Sequence, residues 1–335
     1  MAKEKKKIGP GRVLLRVLAG LLAVIVLIAA VMVLVPLTEG VDKTPVSGSA
    51  DWMAALPDET PVSRIVLPGT HDSATQYVQL AFFSKCQGLD IPGQLEAGYR
   101  YLDIRLGIDE HNDIFKLMHG FTNCKTSALG FDALYLDDLL RGCYAFLQDH
   151  PTETVLFAVK FEHGDAEVAE VQRMLDAYIR EDPDFWLLTD TLPTLGEARG
   201  KLVLLRRWAD EAGLGRAAGI PLLWADQNGH GDVNLDAATE PQDSYTLLVQ
   251  DRFEYGTDDK WDAFCRGMDK ASTRGDGDLA IHFLSTKGTA AYGHPYKYAG
   301  ALNRRLMAAG DLDGWIIVDF ASAKLAAHIY GMNFS

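Results

Sequence analysis

Eight short, β-rich apolar runs alternate with stretches of helical periodicity over about 280 residues, and that count predicts a TIM-type (β/α)8 barrel, regular or distorted. Side chains able to do chemistry follow the ends of successive runs, which is where a parallel barrel gathers them on one face. The main alternative, an open doubly wound sheet, is disfavoured because no Gly-x-Gly-x-x-Gly stands at a strand–helix turn. Ahead of the barrel lies one uncharged apolar run, residues 17–35, long enough to cross a bilayer as a helix.

The N-terminal elements come first. Residues 1–16 form a basic segment with Lys3, Lys5, Lys6, Lys7, Arg12 and Arg16 against the single acid Glu4, and the positive-inside rule keeps that segment in the cytoplasm. A cleaved signal peptide is the rival reading. Its apolar core is typically about 7–15 residues and ends at an Ala-x-Ala-like site; this run is longer and the residues just after Pro36 offer no such site, while Gly48-Ser49-Ala50 lies far downstream. Residues 17–36 are therefore expected to be a transmembrane signal-anchor, 37–51 a linker, and 52–335 one catalytic domain outside the cell. The chain's net charge of −14 includes +5 from residues 1–16, so the remainder carries −19. Such an acidic ectodomain excludes nucleic acid as a partner and gains no long-range attraction to anionic lipid, so contact with a membrane must be apolar and local.

The eight runs are residues 64–67, 99–106, 115–118, 155–161, 201–205, 246–250, 279–284 and 315–319, and helical spacing occupies 131–148, 166–180, 260–272, 298–309 and 321–330. The first run leads into Gly69-Thr70-His71-Asp72-Ser73, the second contains Asp103-x-Arg105, the third ends in His119-Gly120 and the fourth carries Lys160. Of four cysteines, Cys143 and Cys265 fall among apolar neighbours and are expected to be buried. Cys86 and Cys124 fall in loops after the first and third runs, on one face, where a Cys86–Cys124 disulfide is expected to be able to form. No Cys-x-x-Cys spacing points to zinc. The loop 225–232 has Asp, Asn and Gly at calcium-like spacing but lacks the closing Glu, and is read as a polar surface loop.

Cleaving a phosphodiester with a hydroxyl already present in the substrate needs a base for that hydroxyl, an acid for the departing oxygen and positive charge at phosphorus. His71 and His119 suit the two proton transfers, Asp319 and Asp72 can orient them, and Arg105 can grip phosphate through two parallel hydrogen bonds. The ordered set Gly69-Thr70-His71-Asp72-Ser73, Asp103-x-Arg105, His119-Gly120 and Lys160 resembles the bacterial phosphatidylinositol-specific phospholipases C, the X-domain family, from about Trp52 to the C-terminus. That resemblance implies cleavage of phosphatidylinositol, or of a glycosylated or lyso relative, to diacylglycerol and a cyclic inositol phosphate by a monomer needing no metal or other cofactor.

The resemblance also assigns residues. Asp319 would pair with His71 and Asp72 with His119; Asp103, Lys160, Arg207 and Asp251 would form the substrate-binding set, and the alternative for Arg105 is a buried structural ion pair with Asp103. Phe253 stands where the family commonly has Tyr, which keeps ring stacking and loses the phenol. His282 and His294 are read as structural. Phe82 and Phe83, in an apolar stretch after the His71 loop, are expected at a membrane-facing rim, with a core-facing helix as the alternative. Two rival functions remain: a metal-dependent glycerophosphodiester phosphodiesterase, and a non-catalytic lipid- or protein-binding module on the same fold.

Overall fold

The computed structural model describes residues 9–227 and 238–334. Lys3, Glu4 and Lys5 to Lys7 of the basic segment, and residues 228–232 of the loop weighed as a calcium site, lie outside the described residues. The strands are β1 (Leu67–Thr70), β2 (Tyr101–Asp109), β3 (Ile114–His119), β4 (Thr122–Asn123), β5 (Val155–His163), β6 (Trp186–Leu187), β7 (Leu202–Arg206), β8 (Ile220–Pro221), β9 (Ala238–Pro241), β10 (Thr246–Gln250), β11 (Leu279–Phe283) and β12 (Trp315–Val318). The helices are α1 (Pro10–Thr38), α2 (Ala81–Ser84), α3 (Ile91–Glu96), α4 (Leu136–Asp149), α5 (Val168–Glu181), α6 (Leu195–Ala198), α7 (Thr257–Ala271), α8 (Pro295–Leu306) and α9 (Ala323–Gly331).

Parallel ladders run continuously from β10 through β11, β12, β1, β2, β5 and β7 to β8, eight positions around the predicted barrel, and the two-residue β6 pairs parallel with the same edge of β7 as β8 does. The ring is distorted: among the described residues no ladder joins β8 to β10, and β9 instead pairs antiparallel with β10. The Gln242 side chain bridges this seam, accepting from the Leu223 N–H at 3.1 Å and donating to the Leu223 carbonyl at 2.9 Å, as a neighbouring strand would. Leu67, Tyr101, Leu156, Ala158, Val203, Leu205, Val249, Ile281, Trp315 and Ile317 fill the lumen, and Trp52, Met53, Val62 and Ile65 join the same buried cluster. A second core lies under α3, α4 and α5, and a third under α8 and α9.

Several expectations need correcting. Residues 115–118 are not a barrel strand: β3 folds back antiparallel on β2 in the register Leu106↔Leu117 to Asp109↔Ile114. Only four residues, 110–113, separate the two strands, which permits a hairpin but not the crossover of a dozen or more residues that a parallel neighbour requires. The eighth parallel strand is β8, too short and too proline-limited to show as a periodic run. The first strand starts at Leu67, and Val62–Arg64 ahead of it is a 3-10 turn after Pro61. α4 begins at Leu136 rather than 131, and Phe131 is 97 % exposed. The Cys86–Cys124 disulfide is absent: both thiols are free and buried, Cys86 facing Asp72 and His119 at 4.0 Å while Cys124 sits in the apolar core. Cys143 is buried, whereas Cys265 is only partly so.

α1 is apolar and long enough to cross a membrane, and among its described residues only Pro36 is buried. Pro10 begins it, where a missing N–H costs nothing. Gly69 inside β1 is required by close packing, because a Cβ there would lie 2.4 Å from Ile317 Cδ1 and 2.8 Å from Tyr101 Cβ. Gly69→Ala is therefore expected to destabilise the barrel by about 1–3 kcal/mol, the usual cost of overpacking, measured as a lowered midpoint in denaturant unfolding. An unchanged midpoint would show that the β1–β12 contact yields without cost.

Candidate active site

The barrel's C-terminal mouth opens into a cavity of about 590 Å³ lined by His71, Asp72, Arg105, His119, Lys160, Glu162, Arg207, Asp251, Phe253 and Asp319. Nine of these ten positions were singled out from sequence; Glu162 was not. Asp103, grouped with the substrate contacts, is not among the residues lining this cavity. It is 2 % exposed and its carboxylate accepts from Arg105 Nη2 at 2.9 Å and from the Asp72 backbone N–H at 3.2 Å, so it braces the arginine and the His71 loop.

The loop after β1 is locked before it presents anything. Thr70 and Ser73 hydroxyls bond each other at 2.7 Å, the Asp103 N–H donates to Ser73 Oγ at 2.8 Å, and Gln87 Nε2 donates to the His71 and Val318 carbonyls at 2.7 and 2.9 Å. Asp72 is held at φ 42°, a left-handed conformation uncommon outside glycine, and Phe320 beside Asp319 has φ 52°. These two turns aim both carboxylates inward. Asp319 Oδ1 lies 2.8 Å from His71 Nδ1, and Asp72 Oδ2 lies 3.1 Å from His71 Nε2 and 3.4 Å from His119 Nε2. The two rings stand 6.3 Å apart and nearly perpendicular. His119 comes from the hairpin arm, with Nδ1 on the Ser84 carbonyl at 2.8 Å, which leaves Nε2 facing Asp72.

Arg105 sits at the centre of the charges. Its guanidinium reaches Asp72 at 3.2 Å, Asp103 at 2.9 Å and Glu162 at 2.6 Å. Glu162 in turn accepts from the Gly120 N–H at 2.9 Å, next to His119, and lies 3.5 Å from Lys160 Nζ. Burial works against the Arg105 charge, but Asp103, Asp72 and Glu162 hold it protonated well above the ordinary range. Burial likewise opposes ionisation of Asp103 and Glu162, and the Arg105 guanidinium outweighs it and holds both carboxyls below their usual values.

The other end of the cavity is polar and aromatic. The Arg207 guanidinium lies 3.1 Å from the centre of the Trp224 ring, and Trp224 Nε1 donates to Asp251 at 3.1 Å. Trp224 thus sets the spacing of two predicted site residues, and no sequence signal marked it, since it follows a two-residue strand. Glu162 did carry one: it lies two residues after Lys160 on β5, hence on the same face, and Lys160 is the residue opposite Arg105 in the β2–β5 register. Phe82 and Phe83 are half-buried; Phe83 lines the cavity and Phe82 stacks on His294 with ring centres 4.2 Å apart.

Among the described residues, His71–Cys86–Asp319, Asp72–Cys86–His119 and His71–Asp72–Asp103 bring three donor atoms close enough for a metal ion. In each group the carboxylates already pair with His71 or Arg105.

Over 303 residues, 85% of its length, the chain is 28% identical to the 1-phosphatidylinositol phosphodiesterase of Staphylococcus aureus (strain Newman), covering 91% of that protein. The chain is a homologue of the bacterial phosphatidylinositol-specific phospholipases C. Within this group of relatives it is also 27% identical over 219 residues to human PI-PLC X domain-containing protein 1, covering 54% of this chain and 64% of that one. A mutant of the S. aureus phosphatidylinositol-specific phospholipase C has the same fold, with TM-score 0.70 at 23% identity, over 85% of this chain and 96% of that one. No family model matches.

This homologue keeps its first histidine charged. Burial lowers the His71 pKa, but Asp72 and Asp319 outweigh it and lift the imidazole to about 9. A folded-state value above the unfolded one, about 6.5, stabilises the fold fully below that unfolded value, and the contribution disappears as pH rises through about 9. Asp319→Asn should move the His71 titration, followed by NMR, down towards the ordinary histidine range. An unmoved titration would show that Asp319 is not what holds the proton.

Proposed function

We propose that this chain is a metal-independent phosphatidylinositol-specific phospholipase C, held by α1 as a single-pass protein of the cell membrane with its catalytic domain outside. The observation that carries this reading is the pair of histidines bracketing one carboxylate, Asp72, beside a guanidinium, within a cavity whose far end holds Lys160, Arg207 and Asp251. The similarity to 1-phosphatidylinositol phosphodiesterase supports it.

Neutral His71 takes the proton of the inositol 2-hydroxyl as that oxygen attacks phosphorus, Asp319 orienting its ring. Arg105 meets the charge that accumulates on the phosphoryl oxygens, and protonated His119 gives a proton to the departing diacylglycerol oxygen. The products are diacylglycerol and a cyclic inositol phosphate. Reversing the roles, with His119 as base for water and protonated His71 as acid, opens the ring. The two half-reactions begin from opposite protonation states of His71, and the charged resting form is the one ring opening needs.

Lys160, Arg207 and Asp251 supply donors and an acceptor for the inositol hydroxyls, with Phe253 packing on the ring; phosphatidylinositol, its lyso form and glycosylated relatives all present that headgroup. Phe82 and Phe83 lie at the membrane-facing rim. The metal-enzyme alternative is disfavoured by chemistry: the carboxylates that would ligate a divalent cation are taken up by Arg105 and His71, and Arg105 supplies the positive charge itself.

His71→Ala and His119→Ala should each reduce cleavage of phosphatidylinositol by about 10²–10⁴, and a substrate with a good leaving group should restore rate to His119→Ala alone. Equal rescue of both variants in steady-state assays would overturn the division of labour. Activity should survive EDTA and gain nothing from calcium, whereas Arg105→Lys should be severely impaired, since an ammonium cannot reproduce the planar fork that holds three carboxylates and phosphate. Strict calcium dependence would return the metal-enzyme reading.

A further inference from the structure

The end of α1 is fastened to the barrel beside the active-site mouth. Lys85 Nζ, buried, donates to the Pro36 carbonyl at 2.8 Å and the Glu39 carbonyl at 3.0 Å, a cation on the negative end of the helix. The Glu39 side chain is 3 % exposed and its Oε1 lies 2.8 Å from His294 Nε2. His294 Nδ1 is 2.6 Å from the Phe82 carbonyl, and its ring stacks on Phe82. The chain then continues against the barrel: the Tyr296 hydroxyl donates to the Gly40 carbonyl at 3.3 Å, and Val41 packs so closely on Gly88 that a Cβ there would come within 2.9 Å of it. Residues 39–41, expected to be part of a loose linker, are a built joint. A simple tether would need none of these contacts.

The helix flank above the joint faces the active site. Met32 lines the same cavity as His71, Asp319 and Tyr292, and Val33, Pro36 and Leu37 line an adjoining cavity with Leu80 and Leu129. Met32 lies three residues from the end of the apolar run at Val35, about 4.5 Å of helix rise. A helix that crosses a bilayer with this run puts Met32, and so the mouth, at the lipid–water boundary. Around the mouth stand the exposed apolar residues Leu129, Phe121 and Tyr292, at 73 %, 64 % and 68 % exposure.

We infer that α1 is a working part of the catalytic mouth: the Lys85–Glu39–His294 joint holds the active site face-on against the membrane that α1 itself crosses, so that the enzyme draws its inositol lipid from that same leaflet. This rests on the phospholipase reading above, and it goes beyond anchoring because it assigns the helix an orientation and the enzyme a supply of substrate in its own membrane.

Full-length protein would be reconstituted in phosphatidylcholine vesicles containing phosphatidylinositol. Three forms would be compared: wild type, Glu39→Ala, and a chain with a flexible Gly-Ser segment inserted between Thr38 and Glu39. Three readouts are taken: cleavage of lipid in the protein's own vesicles, hydrolysis of soluble cyclic inositol phosphate, and a cross-link between Met32→Cys and Tyr292→Cys by a short bismaleimide, mapped by mass spectrometry. Both altered chains should lose about tenfold or more of lipid cleavage, keep hydrolysis of the soluble substrate, and lose the cross-link that the otherwise wild-type chain forms. Full lipid cleavage by the insertion chain, no cross-link in the otherwise wild-type chain, or recovery of a shortened soluble protein would overturn the inference. If neither substrate is turned over by wild type, the phospholipase reading fails while the cross-link still decides the joint.

Discussion

The guanidinium of Arg105 is the node on which the site depends, because three buried or nearly buried acids converge on it. Asp72, Asp103 and Glu162 approach it from the β1 loop, β2 and β5, and Asp319 closes on the neighbouring His71. Removing a carboxylate from water is costly unless the charge is paired and hydrogen-bonded, and each of these is. The same cation therefore fixes three backbone segments relative to one another. Because Glu162 also holds the Gly120 N–H, the hairpin arm carrying His119 is tied to the same centre. Geometry and charge balance are one arrangement.

That balance explains why the two histidines are not equivalent. His71 touches two carboxylates, one at each ring nitrogen, and is driven towards the cation despite burial. His119 meets the Ser84 carbonyl at one nitrogen and shares Asp72 at the other. Sequence neighbours His71 and Asp72 do touch, yet the contact that distinguishes His71 comes from Asp319, across the β1–β12 ladder. The left-handed turns at Asp72 and Phe320 set this crossing up, and both are local strain kept at the site rather than relieved.

Much of this was legible from sequence because the barrel repeats one rule: an apolar run, then a residue with chemistry at its end. His71, Arg105, Lys160, Arg207, Asp251 and Asp319 all follow or close such runs. At residues 115–118 the run is a strand and does deliver His119 to the site, but it is no barrel strand, because the connection to β2 is too short for a parallel neighbour; loop length, not composition, carried that answer. The rule failed at β8, where two residues make a barrel strand, and at α2, α3 and α6, four to six residues long, below the length at which helical periodicity can show. Trp224 and Glu39 were illegible for a different reason. Each matters through partners distant in sequence, Arg207 and Asp251 for one, Lys85 and His294 for the other, and no local pattern encodes a long-range contact.

An acidic protein working on a lipid surface meets a physical conflict. A net charge of −14, concentrated outside the N-terminal segment, gives no long-range pull towards anionic lipid and opposes close approach to it. Free diffusion to the membrane would then rest wholly on a few exposed apolar side chains at the rim, each burying little area. On the inference that α1 crosses the membrane the enzyme works on, fastening the end of that helix to the rim removes the demand, since the energy of inserting α1 would also set the depth and tilt of the mouth. The apolar residues around the entrance then need only shed water locally, and the charges inside the cavity are left free to be arranged for phosphate chemistry rather than for finding the membrane.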